Sequence, residues 1–192
     1  GQGRTLVLRP DRSLPYVSAT LLFDGGDELA STLSGLDMAK TGQSPEGLAS
    51  LTADVLASGT KQRDYAAMSA YLADRAAGLS AGASSRGFSL SLDAPSRFSA
   101  DLFALLAEIM DKPAFRKDDL ERVKREHLAA IASQEESVSG LIGRNLNHFL
   151  FPDGFYGYRA GGTAQSIAAV SRADVLNFWK VQSTRPWVLS VA

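Results

Sequence analysis

A chain of 192 residues, 45% hydrophobic and 21% charged, is long enough for one sizeable globular core or two small ones. Lys and Arg number 20 against 21 Asp and Glu, with no basic run and no basic–aromatic interleaving, which argues against nucleic acid as a partner. Cysteine is absent, excluding a disulfide framework, cysteine-ligated clusters and a thiolate nucleophile.

No window is apolar enough for a bilayer span, and the first residues lack the apolar core of a signal peptide. The expectation is a soluble protein with no membrane partner and no targeting segment in this stretch, its compartment undefined. The chain opens almost at once on a strand and stops at Ser190-Val191-Ala192 within another, so residues 1–192 are expected to be one domain of a longer, multi-domain chain.

In chain order, β-branched and apolar residues at 5–9 and 16–23, separated by Pro10-Asp11-Arg12-Ser13, predict an antiparallel strand pair. Val17, Ala19, Leu21 and Phe23 alternate onto one face. Asp24-Gly25-Gly26-Asp27-Glu28 ends the second strand, and a short helix is expected around 32–39. Ser44 then reads as an N-cap, Pro45 and Glu46 as a first turn, and Gly59 as the terminator of a helix. Leu48, Leu51, Val55 and Leu56 give it a core stripe; Ser50, Asp54 and Ser58, beside Ala53 and Ala57, give it a small, weakly polar face.

Asp64 caps a helix expected over 65–77, with Met68, Tyr71, Leu72 and Ala76 inward. Residues 78–84 and 88–93 read as a hairpin turned at Ser85-Arg86-Gly87, with Phe88, Leu90 and Leu92 on the core side. Helical spacing follows at 98–110, stopped by Lys112-Pro113, and from Asp118 to Gln134 through Leu120, Val123, His127, Leu128 and Ile131. Gly140 is expected to interrupt before a segment carrying Leu141, Ile142, Leu146, Phe149 and Leu150. Ser171-Arg172-Ala173-Asp174 opens a last helix holding Val175, Leu176, Phe178 and Trp179, and 187–191 is a closing strand. The fold class is α+β: an antiparallel or mixed β-sheet with helices packed on one face.

The stretch Gly47-Leu48-Ala49-Ser50-Leu51-Thr52-Ala53-Asp54-Val55-Leu56-Ala57-Ser58-Gly59-Thr60 resembles the helix of the pitrilysin/insulinase family of zinc metallopeptidases, which reads G-L-A-H-x-x-E-H-x-L-x-x-G-T. The first metal histidine falls on Ser50, the general-base glutamate on Ala53 and the second histidine on Asp54. Glu121-Arg122 and Ile131 are in register with the family's E-R-x-x-x-V-x-x-x-E-I helix, which places the third ligand on Ala130. Two neutral imidazoles one turn apart hold zinc and a neighbouring carboxylate takes the proton of its water, and here all four positions are lost. Weaker matches at Asp24–Glu28 and at Phe155-Tyr156-Gly157 with Gly161-Gly162 extend the resemblance over nearly the whole chain.

The resemblance implies a catalytically inactive domain that needs no cofactor, with zinc in a sister domain of the same chain or another subunit. The implied role is scaffold and peptide-binding wall of a substrate chamber. It also implies that Leu79, Ser80, Ala81, Gly82, Ala83 and Ser84 form an edge strand to which an extended peptide adds as a further strand. Gly and Ser there equally suit a plain weak edge. Two alternatives remain: an active metallopeptidase domain with relocated ligands, drawing on Asp54, Glu126 and His127, and a non-proteolytic assembly subunit like the core subunits of respiratory complexes. His127 and His148 lack an H-x-x-x-H partner, Ser50 lacks a G-x-S-x-G context, and Gly59-Thr60-Lys61 and Gly1-Gln2-Gly3 fall short of nucleotide-binding loops.

Overall fold

The computed structural model describes residues 3–10, 13–159 and 161–192. Among these, five strands, β1 (Arg4–Leu8), β2 (Tyr16–Asp24), β3 (Gly78–Ala83), β4 (Gly87–Pro95) and β5 (Trp187–Val191), form one mixed sheet in the order β1-β5-β2-β4-β3. The described helices are α1 (Asp27–Thr32), α2 (Asp37–Lys40), α3 (Leu48–Ala57), α4 (Tyr65–Asp74), α5 (Ser99–Asp111), α6 (Lys117–Glu135), α7 (Val138–Leu150), α8 (Ala164–Ala169) and α9 (Arg172–Gln182). None of them is long and apolar enough to cross a membrane.

Alternation places the core as the sequence predicts. Ala19, Leu21 and Phe23 of β2 and Phe88, Leu90, Leu92 and Ala94 of β4 are buried under the helices, while Leu22 and the serines between them face the open side. Phe88 packs edge to tilted against Phe23, Phe178 and Trp179, with ring centroids 6.4, 6.1 and 5.7 Å away, which fixes α9 on the sheet. Gln182, fully buried at the end of α9, donates to Asp24 O and accepts from Gly26 N–H, locking the turn after β2.

The expected β1–β2 pair does not form. β5 lies between the two strands, antiparallel to β2 with Leu189 opposite Leu21, and parallel to β1 with Leu189 opposite Leu6. The strand whose face is better covered takes the inner place, and β1, exposed at every position, becomes a rim. The Asp11-Arg12 part of the expected turn lies outside the described residues.

Several boundaries also move. In place of one helix over 32–39 there are two, α1 and α2, because the chain is extended at Leu33 and at Leu36. α3 starts at Leu48, three residues later than the expected Pro45 start. Ser44 Oγ accepts from the nearby Glu46 N–H, and Gly47 is the N-cap at φ 84°. A Cβ at Gly47 would meet Gly162 Cα at 2.8 Å, so glycine is required by the close approach of a second loop as well as by the backbone. Ser58, not Gly59, is the C-cap. α4 stops at Asp74, and Ala76 is exposed at φ 47° instead of facing inward.

The break between α6 and α7 is at Ser137, whose Oγ accepts from Gly140 N–H at 3.1 Å; Gly140 itself is helical. α8, which sequence spacing did not mark, is held by a capping box between Thr163 and Ser166. The expected box at Ser171 and Asp174 is present.

Candidate functional site

Only part of α3 reaches solvent. Leu48, Leu51, Val55 and Leu56 are buried, and so are Ala49, Thr52 and Ala53; Ser50 and Ala57 are half-buried and Asp54 is exposed. The weakly polar face is thus narrower than expected, since Ala53, which the resemblance sets against the general base, lies in the core. The other lost positions separate: Ala130 is exposed on α6, and Asp54 and Ala130 both line one cleft of about 500 Å³ with Glu126, His127, Gln134 and Arg144, whereas Ser50 and Ala53 do not line it.

Asp54 has a partner that sequence spacing did not reveal. His127 Nε2–H donates to Asp54 Oδ2 at 2.6 Å, joining α6 to α3. The neighbouring Glu126 accepts from Arg122 Nη1 at 2.9 Å. Arg122 also donates to Ser58 Oγ at 2.7 Å and stacks 3.9 Å over the Tyr65 ring. Asp54 and Glu126 border a second cleft of about 310 Å³, which runs to Leu79 of β3.

Arg144, mid-way along α7, is 5% exposed; its Nη2 donates to Gly162 O at 2.9 Å and its Nη1 to Gln134 Oε1 at 3.4 Å. The sequence signal for it is its being the one Lys or Arg between Val138 and Leu150. Just before α3, Glu46 is buried; its carboxylate accepts from Arg159 N–H and faces the Arg159 guanidinium at 3.5 Å. Beside it, burial and then the Glu46 charge push the Asp27 carboxyl up to about 6.

These residues do not fit a zinc ion. Of the four family positions only Asp54 carries a donor suited to a metal, and its nearest histidine is hydrogen-bonded to it. Glu126 is committed to Arg122, and among the described residues no group of three or more His, Asp or Glu side chains is arranged to hold a metal.

Among the described residues the strand over 78–83 lies at the sheet edge and pairs only with β4, from Gly78 opposite Asp93 to Ala83 opposite Phe88. Ser84, expected within this strand, belongs to the turn, and its carbonyl accepts from Asp27 N–H at 3.1 Å. The face of β3 is half-buried and carries only small side chains apart from Leu79.

No family profile matches the sequence. A curated relative, the "Non-peptidase homolog YmxG" of Helicobacter pylori (strain ATCC 700392 / 26695), is 26% identical over 170 residues, covering 88% of this chain and 37% of that protein. Among solved structures, a peptidase M16 inactive domain from Pseudomonas fluorescens superposes with a TM-score of 0.78 at 23% identity, over 99% of this chain and 44% of that one. A protease from Helicobacter pylori gives 0.80 at 13% identity, over 97% and 43%. A chain of complex III2 from Candida albicans gives 0.68 at 18% identity, over 98% and 40%. The structural likenesses establish the fold, and the chain spans less than half the length of each of these relatives. With a non-peptidase homologue among its relatives and a peptidase M16 inactive domain among its structural neighbours, the chain is similar to the inactive domains of the pitrilysin/insulinase (M16) peptidase family.

Proposed function

We propose that this domain forms part of the wall of a substrate chamber in a zinc metallopeptidase, as a scaffold that also holds peptide. Zinc and the catalytic glutamate belong, on this reading, to a sister domain in the same chain or another subunit. The observation that carries it is the position of β3, unpaired on its outer side among the described residues and flanked at Leu79 by the cleft that runs back to Asp54 and Glu126. An extended peptide adding to this edge exchanges main-chain hydrogen bonds with it, and the small side chains of Ser80, Ala81 and Gly82 allow close approach.

The test is peptide affinity of the assembled protein with Ala81→Pro, which removes one edge N–H and fixes one dihedral. A loss of roughly tenfold or more supports edge docking, equivalent to about 1.4 kcal/mol; unchanged affinity counts against it. A non-proteolytic assembly subunit is the second reading, supported by the likeness to the complex III2 chain. It predicts that the assembled protein neither binds nor cleaves peptide.

A further inference from the structure

We infer that the outward stripe of α7 is the surface on which the sister domain docks, an inference that rests on the chamber reading above and names its interface. Val138, Ile142, Leu146 and Phe149 recur at helical spacing and are 74, 59, 48 and 82% exposed. Leu150 and Phe151 extend the patch at 54 and 52%. A monomer seldom leaves so many large apolar side chains contiguous and open to water.

The helix is not loose. Ser137 caps it, Arg144 ties its inner side to Gly162 and Gln134, and Asn145 Oδ1 accepts from Arg159 Nε at 2.8 Å. A rigid helix of 13 residues, about 20 Å long, therefore presents an apolar row without a charged side chain on its outward face. Charge depletion of this kind marks the core of a protein interface more than its rim.

Two observations select the occupant. The relatives extend well beyond the matched region, since this chain covers only 37% of one and 44% of another, leaving a second unit of comparable size to account for. Charge argues against a second copy of this chain. Exposed Glu136 precedes the stripe and exposed Asp153 follows it, so antiparallel self-pairing across a two-fold axis sets acid against acid. A sister domain with an apolar centre and basic groups at both ends meets the same stripe without that repulsion.

The test compares the 192-residue chain alone with the protein isolated from its source together with whatever chain and subunits accompany it. This stretch has no cysteine, so Ile142→Cys and Phe149→Cys each place one thiol on the stripe, and Lys61→Cys on the exposed α3–α4 loop serves as control. Modification by a maleimide is followed by mass spectrometry of the labelled peptide, and thermal unfolding checks that each variant is folded. Labelling of the two stripe thiols is expected to slow by roughly tenfold or more in the isolated assembly relative to the chain alone, with the control unchanged. Equal labelling in an assembly larger than this chain overturns the docking surface and leaves the chamber reading standing. Isolated material no larger than this chain overturns both. Protection in the chain alone, at the mass of a dimer, assigns the stripe to a second copy and contradicts the inference.

Discussion

His127 on α6 donates a 2.6 Å hydrogen bond to Asp54 on α3, the residue that the family resemblance sets against the second metal histidine. Asp54, which the resemblance places at a metal-ligand position, is thus used to join two helices. His127 is the more covered partner, its side chain 14% exposed against 47% for Asp54.

If that bond ties α3 to α6, Asp54→Ala and His127→Ala are each expected to lower stability by about 1 kcal/mol, discounted for the exposure of Asp54. The double variant should lose less than the sum, with a coupling of roughly 0.5 kcal/mol, measured by urea unfolding in a double-mutant cycle. Additive losses would mean that the contact contributes nothing.

Restoring the family's glutamate is expected to harm this domain. Ala53 is fully buried, so Ala53→Glu both overfills the space under α3 and takes a carboxylate from water. A loss of roughly 3 kcal/mol or more should appear as a clear fall in the urea midpoint. A variant as stable as the parent would place Ala53 next to an open cavity instead.

Asp27 makes stability depend on pH. Its carboxyl is raised from 3.8 to about 6, so the folded state binds this proton more tightly than the unfolded state. Its contribution is fully present below about pH 4 and is lost as pH rises through about 6. The size is on the order of 2 kcal/mol after allowance for its residual exposure. Asp27→Asn should therefore be more stable than the parent at pH 7 and lose that advantage near pH 4, as read by unfolding at the two values. A difference independent of pH would remove Asp27 as the cause.

At the start of α7 two effects oppose each other. Alanine normally favours a helix over glycine by about 1 kcal/mol, but a Cβ at Gly140 would lie 2.1 Å from Gln134 O. The clash should win, so Gly140→Ala is expected to destabilise, and Ser137→Ala to cost about 1 kcal/mol through the lost cap. Thermal unfolding decides the sign; a stabilised Gly140→Ala would show that the two helices can move apart.

The alternation in β2 and β4 and the helical spacing of α5, α6 and α9 were legible because each element buries one face against a single core. Pairing was not. Nothing local in residues 5–9 and 16–23 reveals that β5, over a hundred and fifty residues later, enters between them. The start of α3 was misread because Ser44, Pro45 and Glu46 form an ordinary helix opening locally, while the buried contact of Glu46 with Arg159 is set by tertiary structure. At the site, the family frame marked Ser50, Ala53, Asp54 and Ala130, of which Asp54 and Ala130 line the cleft. The Asp54–His127 contact joins residues far apart in sequence, so spacing within α6 left His127 without a partner.

The most direct measurement is the zinc content of the purified chain after equilibration with zinc and removal of the excess, with peptide cleavage assayed on the same sample. An inactive domain predicts substoichiometric zinc and no cleavage. Stoichiometric zinc, with cleavage abolished by chelation, would contradict it and return Asp54, Glu126 and His127 to the role of relocated ligands.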